Sequence, residues 1–166
     1  MSENETPAEG KEQAKQANFA LQRIYVKDIS FESPNSPAVF QKQWKPEVKM
    51  DLGTKNTDLG GGHFEVVVSV TLTVTVDSMA AYIAEVQQAG IFQTEGLEGG
   101  QLAQALNAFA PNLLFPYLRE TVDNILVKGS FPAILLSPVN FDALFAQAVM
   151  QKQKDAAAAA DESTAH

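Results

Sequence analysis

Residues Phe64 to Val76, FEVVVSVTLTVTV, keep a two-residue alternation from one end to the other. Phe64, Val66, Val68, Val70, Leu72, Val74 and Val76 fall on one face; Glu65, Ser69, Thr71, Thr73 and Thr75 fall on the other, with Val67 the one apolar residue among them. Successive side chains of a strand point to opposite faces, so the pattern predicts a long antiparallel strand with one face in a core and one in water. β-branched residues suit that pleated surface, and a slip of one residue would turn every apolar side chain into water, which holds the register.

The flanking segments supply partners for this strand. Phe19 to Glu32, FALQRIYVKDISFE, alternates less cleanly, with Ile24, Val26, Asp28, Ser30 and Glu32 on one face and Arg23, Tyr25, Lys27, Ile29 and Phe31 on the other. Pro34 and Pro37 end it, because proline cannot donate to a ladder and restricts the residue before it. Ser36 to Pro46 is a loop carrying Val39, Phe40 and the single tryptophan, Trp44. Glu47 to Leu52 predicts a second strand with Val48, Met50 and Leu52 on one face, and Asp58 to His63, with its three glycines, a turn. A fourth strand is expected near Ala80 to Gln88, where Ile83 and Glu85 share a face opposite Tyr82, Ala84 and Val86.

Beyond Gly90 the period becomes helical. Leu102, Ala105, Leu106 and Phe109 predict a short helix over Gln101 to Ala110, stopped by Pro111. A longer helix opens at Pro111, buries Leu114, Leu118, Val122, Ile125 and Leu126, and closes at Gly129. Phe131 to Pro138, FPAILLSP, is an apolar loop, and Asn140 caps a last amphipathic helix bearing Phe141, Leu144, Phe145 and Val149. The expected organisation is a disordered tail over 1–18, one domain over 19–150 and a flexible alanine-rich tail over 151–166.

Composition narrows the function. The chain has 166 residues, a formal net charge of −8 and no cysteine. An acidic protein without a basic stripe is a poor nucleic-acid binder and favours basic partners. Absence of cysteine excludes disulfide and thiolate chemistry and fits a reducing compartment. No apolar leader opens the sequence and no run is long enough to span a bilayer, so the expected location is cytoplasmic, without membrane insertion.

The chemistry-bearing residues are sparse. His63 stands in a glycine turn and His166 at the terminus, neither beside a nucleophile. Gly60 to Gly62 lacks the Lys-Ser/Thr of a phosphate loop, and Gly96, Gly99 and Gly100 miss the dinucleotide spacing. Metal ligands do not cluster along the chain. The expectation is a protein that is not an enzyme and uses no cofactor and no metal.

Apolar surface is the resource in surplus. Phe40, Trp44, the face of Val48, Met50 and Leu52, the FPAILL loop, and Leu144, Phe145 and Val149 exceed what one sheet and its helices cover. Such a surplus fits an oligomer interface or a binding groove, and the two are compatible. Asp28, Glu32 and Glu85 fit either a solvated sheet face or a docking surface.

The strings RIYVKDISFESPN, FQKQWKPEV, EVQQAGIF, PNLLFPYLRE and SPVNFDALF, in that order, closely resemble the SecB family of bacterial export chaperones over roughly Leu21 to Phe145. The resemblance implies an α+β fold: a four-stranded antiparallel Greek-key sheet with a long and a shorter C-terminal helix, assembling as a homotetramer, a dimer of dimers. It implies an ATP-independent holdase that keeps precursor proteins unfolded and delivers them to the motor SecA for export through the Sec translocon. Asp28, Glu32, Ile83 and Glu85 then match the surface that docks the zinc-bearing tail of SecA, the zinc belonging to the partner. Trp44, Val48, Met50, Leu52, Leu144, Phe145 and Val149 match the client groove, and Val86 and Gln88 lie near the contact between dimers. Ala105 and Ala110 stand where some relatives have cysteine, and the alanine-rich tail has no counterpart in the resemblance.

Overall fold

The structure, a computed structural model, describes residues 17–163, with side chains through 159. The tail expected over 1–18 lies outside the described residues except for its last two. Four strands, β1 (Asn18–Glu32), β2 (Glu47–Gly60), β3 (His63–Val76) and β4 (Met79–Glu95), form one antiparallel sheet in the order β1-β4-β3-β2. Helices come next as α1 (Gly99–Gln104), a π-helical turn (Ala105–Phe109), α2 (Ala110–Lys128) and α3 (Phe141–Ser163).

The alternation at 64–76 is realised as β3. Val66, Val68, Val70, Leu72, Val74 and Val76 are buried against Leu114, Leu118, Val122 and Leu126 of α2, while Ser69, Thr71, Thr73 and Thr75 remain partly exposed on the open face. Strand β4 contributes Tyr82, Ala84, Val86 and Phe92 to the same core. Each large side chain in this seam stabilises by about 1.5–3 kcal/mol when fully buried.

Strand β1 departs from the predicted face assignment. Its register slips between Leu21 and Arg23 and again between Val26 and Asp28, each slip inserting one extra residue. The second bulge, at Lys27, reverses the phase of the rest of the strand. Asp28, Ser30 and Glu32 therefore pair with Gln87, Glu85 and Ile83 on the open face, while Ile24, Val26, Ile29 and Phe31 align with the helix-side residues Gly90, Gln88, Val86 and Ala84. A strict period of two cannot anticipate this.

Strands β2 and β4 also run further than the pattern indicates, to Gly60 and Glu95. Residues 53–60 carry no apolar alternation because an edge strand needs no buried face there, and β3 supplies the ladder through Thr57↔Glu65 and Asp58↔Phe64. In β4 the pattern breaks at Gly90, where a Cβ would lie 2.9 Å from Leu114 and 3.1 Å from the Arg23 carbonyl oxygen. The helix approaches the sheet so closely that only glycine fits.

Pro111 does not stop the helix. Helical backbone is continuous from Gly99 to Lys128, and the wider turn over Ala105–Phe109 takes up the N–H that Pro111 lacks. Asn107 in that turn donates to the Ala103 carbonyl at 2.8 Å and accepts from Asn56 of β2 at 2.9 Å, tethering the helix to the edge strand. Gly129 is the C-cap residue as expected, but its φ is −77°, and the left-handed residue is Ser130 at 65°. Glycine is required at 129 because a Cβ would collide with the Phe31 ring. Asn140 caps α3 through Oδ1, which accepts from the Ala143 amide at 3.0 Å. Strand, loop and cap so place α3 beside β2. Beyond Met150, where a flexible tail is expected, the backbone is helical to Ser163, consistent with alanine's high helix propensity, and its described side chains are exposed.

Gly90→Val is expected to destabilise the fold by about 1–3 kcal/mol through overpacking against Leu114, read as a lowered urea midpoint at fixed protomer concentration; an unchanged midpoint would refute the close-approach account.

Candidate functional site

Two surfaces on opposite sides of the sheet collect the candidate residues. On the helix side, α2 packs over β4 and β3 and leaves the inner residues of β2 uncovered. Val48 and Met50 are each about half exposed, at 48% and 47%. Among the described residues β2 pairs only with β3, so it is an edge strand.

Two walls face this strip. At the Val48 end stands Phe131, buried, whose ring centroid lies 4.8 Å from Tyr82, 5.2 Å from Phe40, 5.7 Å from Trp44 and 6.2 Å from Phe31. One ring thus binds the loop after α2 to the crossover loop and to the sheet. Beside it opens a cavity of about 170 Å³ lined by Trp44, Pro46, Val48, Val74, Tyr82, Pro132, Ala133 and Ile134. At the Leu52 end a second cavity, about 140 Å³, is lined by Leu52, Gly53, Thr54, Asn107, Phe141, Leu144, Phe145 and Ala148. From Val48 to Leu52 the strand advances roughly 13 Å, with Met50 between, so the two cavities are stations on one apolar groove.

Of the residues expected in the groove, Trp44, Val48, Leu52, Leu144 and Phe145 line the cavities, and Met50, half-exposed, lines neither but lies between Val48 and Leu52 on β2. Val149, one turn beyond Phe145 on α3, lines neither. Tyr82 escapes sequence reasoning as a groove member, and the Phe131–Leu136 loop enters it only as surplus apolar surface for an interface or a groove, because the contacts that place both beside Trp44 join segments far apart in the chain. The only local signal is the apolar, proline-flanked loop itself.

On the open face, the bulge at Lys27 brings Asp28 and Glu32 of β1 beside Ile83 and Glu85 of β4: Glu32 pairs with Ile83, and Ser30 with Glu85. Among the described residues no ion pair engages Asp28, Glu32 or Glu85. Their charges remain available to a basic partner. The other end of that face is occupied by a constellation with no sequence signature. Glu65 accepts hydrogen bonds from the Tyr25 hydroxyl and from Lys27 Nζ, the latter at 2.7 and 2.9 Å to its two oxygens. Lys27, with Tyr25 in support, holds the Glu65 carboxyl below its ordinary range against the opposing effect of burial. Tyr25 is pushed up to about 12, mainly by burial and then by the adjacent carboxylate.

Val86 and Gln88, expected near a contact between dimers, are buried within the chain. Val86 is fully covered by the core, and Gln88, 3% exposed, accepts from Thr121 Oγ1 of α2 at 3.3 Å. Neither side chain is at the surface of this chain; they seat the helix. Ala110 is likewise in the core. Among the described residues no three His, Asp or Glu side chains converge to hold a metal ion, and no helix is long and apolar enough to cross a membrane. What the arrangement can do is bury an extended apolar chain on one side and attract a cationic segment on the other.

Comparison with known proteins identifies the family. The profile of the SecB family, preprotein translocase subunit SecB, matches residues 12–152. Protein-export protein SecB of Marinobacter nauticus is 55% identical over 166 residues, covering both chains completely. Its counterpart from Hahella chejuensis is 57% identical over 155 residues, 93% of this chain and 98% of its own. Among solved structures, a Mycobacterium tuberculosis SecB-like chaperone in complex with an antitoxin peptide shares the fold with a TM-score of 0.60 at 16% identity, over 73% of this chain and 90% of that one.

The lowered Glu65 value means that the folded protein holds this carboxylate more tightly than the unfolded chain, so the stabilisation is complete above the ordinary value of 4.5 and is lost as pH falls from there through the folded value. Glu65→Gln should therefore be less stable than the wild type at pH 7, by less than about 1 kcal/mol because the Lys27 partner is 43% exposed and solvent screens the pair, with the gap closing on acidification. Urea midpoints across pH 3–7 check this, and a gap that widens in acid would contradict it.

Proposed function

The chain belongs to the SecB family of protein-export chaperones, which are not enzymes, and on that premise we propose that its two sheet faces divide the work of an ATP-independent holdase. The helix-side groove takes the client, an unfolded precursor protein, and the open face takes the motor SecA. The observation that carries this reading is the apolar strip of half-exposed Val48 and Met50 and partly buried Leu52, lying between two apolar walls.

The physics needs no reaction centre. A groove that binds the unfolded state and not the native one delays folding by mass action. Burial of apolar surface contributes about 25 cal/mol per Å² without reading sequence, and Met50 adapts to different side chains. Trp44, Val48, Met50, Leu52, Leu144 and Phe145 are the client residues in this proposal, with Val149 extending the surface along α3. The two groove cavities, about 140 and 170 Å³, lie below the roughly 300 Å³ at which small-molecule pockets begin, so the groove suits side chains of an extended polypeptide better than a drug-sized ligand.

Asp28, Glu32 and Glu85, with Ile83 as the apolar centre, form the proposed SecA surface. A net charge of −8 per chain speeds encounter with basic segments, and the effect weakens with salt. The strand order, with a crossover between β1 and β2, supports a Greek-key description, and apolar residues exposed on α2, Tyr117 and Val127 among them, support the homotetramer, a dimer of dimers. In that assembly Val86 and Gln88 act through the seating of α2. The proposed chaperone unit is 19–150, working in the cytoplasm.

A slow-folding precursor mixed with this protein, without ATP, is expected to stop refolding and to form a stable complex whose mass by light scattering is that of a tetramer plus client. Leu144→Ser with Phe145→Ser should weaken that arrest severalfold while the tetramer persists. Unaltered refolding with the wild type would overturn the holdase reading. Separately, Asp28→Lys with Glu85→Lys should abolish SecA association and leave client arrest intact; undiminished SecA affinity by calorimetry would remove that surface.

A further inference from the structure

The wall of the groove beside Trp44 is a segment without regular structure, and its own hydrogen bonding is unusual. Phe131 and Leu136 are buried anchors, and Pro132 to Leu135 arch between them. The arch makes no helix or strand ladder. Instead the amides of Ile134 and Leu135 both donate to one oxygen, Asp123 Oδ1 on α2, at 3.0 and 3.1 Å. Leu135 adopts φ 49°, a left-handed conformation that a branched side chain resists, and its side chain is 71% exposed. Nothing that Leu135 buries favours this conformation. Charge-assisted hydrogen bonds to an ionised carboxylate are stronger than neutral ones and supply the compensation.

Ile134 belongs to both arrangements, since its amide is held by Asp123 and its side chain lines the Trp44 cavity together with Pro132 and Ala133. We propose that Asp123 is a positioning residue for client binding: its carboxylate fixes the 132–135 arch and so sets the opening of the cavity between Trp44 and the loop after α2. The inference rests on the reading of this groove as the client site. It adds that the groove is preorganised at one end by a single carboxylate, which spares the client the cost of ordering that wall. Burial, and next the Asp123 charge, push Tyr82 of the same cavity up to about 12, in keeping with a carboxylate that acts on this end of the groove.

Trp44 is the sole tryptophan and lines the cavity, so its fluorescence reports on the wall directly. The experiment compares wild type, Asp123→Ala and Asp123→Asn as full chains, using an unfolded peptide with one phenylalanine flanked by polar residues. The wild type should bind with a shift in Trp44 emission and show protected amides at Ile134 and Leu135 by hydrogen exchange. Asp123→Ala should show red-shifted emission before peptide is added, about tenfold weaker binding and an unchanged oligomer mass. Asp123→Asn keeps the accepting oxygen and should restore most of the affinity. Equal affinity in Asp123→Ala and wild type overturns this inference alone, as do unprotected amides in the wild type, a measurement that needs no variant to fold. A wild type that fails to bind the peptide overturns the client reading and this inference with it.

Discussion

Everything in this molecule depends on the apolar seam between α2 and the inner faces of β3 and β4. Leu114, Leu118, Val122 and Leu126 meet Val66, Val68, Val70, Leu72 and Val86 there, all fully or nearly fully buried. A helix with its side chains is about 10–12 Å across, whereas the outer strands of a four-stranded sheet are separated by roughly 14 Å, three spacings of about 4.8 Å. One helix cannot roof such a sheet. Close contact at Gly90 settles the helix over the middle strands, and the inner faces of both edges are left short of cover. On β2 the shortfall exposes Val48 and Met50, and on β1 it exposes Val26 and Ile29. The proposed groove is therefore the geometric remainder of the core, bounded by the parts of the chain that return to it, the aromatic cluster about Phe131 at one end and α3 at the other.

The sheet's two-residue period then keeps the two proposed activities apart. With mainly apolar residues directed to the helix side and mainly charged or hydroxyl residues to the open side, the proposed client and motor surfaces fall on opposite sides of one layer, so neither occupant would obstruct the other. The bulge at Lys27 is what makes this separation hold on β1. Without it, Asp28, Ser30 and Glu32 would share a face with Ile24 and Val26, as the bare alternation has them. With it, the carboxylates join Glu85, and the displaced Lys27 reaches over to Glu65, tying β1 to β3 across the strand between them. An extra residue thus re-aims the side chains C-terminal to it and gives the open face an internal strut.

Position along the chain predicts contacts well where they are local and periodic, and poorly where they are not. The loop after α2 illustrates the second case. Its composition announces an apolar, proline-bounded segment, yet its conformation is held by Phe131 against residues of β1, β4 and the crossover loop and by Asp123 one turn before the end of α2. Such partners have no fixed spacing. Pro111 teaches the same lesson in reverse, since a strong local breaker is overridden when the packing of Leu106 and Ala110 on the core favours a continuous helix and a π-helical turn absorbs the missing donor.

The sequence by itself determined the central strand and its buried face, the stripe of α2, the cap at Asn140, the segments that supply apolar surface and, through its ordered strings of uncommon residues, the family. These are properties of period, propensity and motif, carried by neighbours in the chain. Only the tertiary structure decided the length of β2 and β4, the phase of β1 after its bulges, the burial of Val86 and Gln88, and the meeting of Trp44, Tyr82 and the 132–134 wall around one cavity. Ladder pairing, close approach and side-chain packing between distant segments set those features, and each is an energy of contact between residues that the linear order does not bring together.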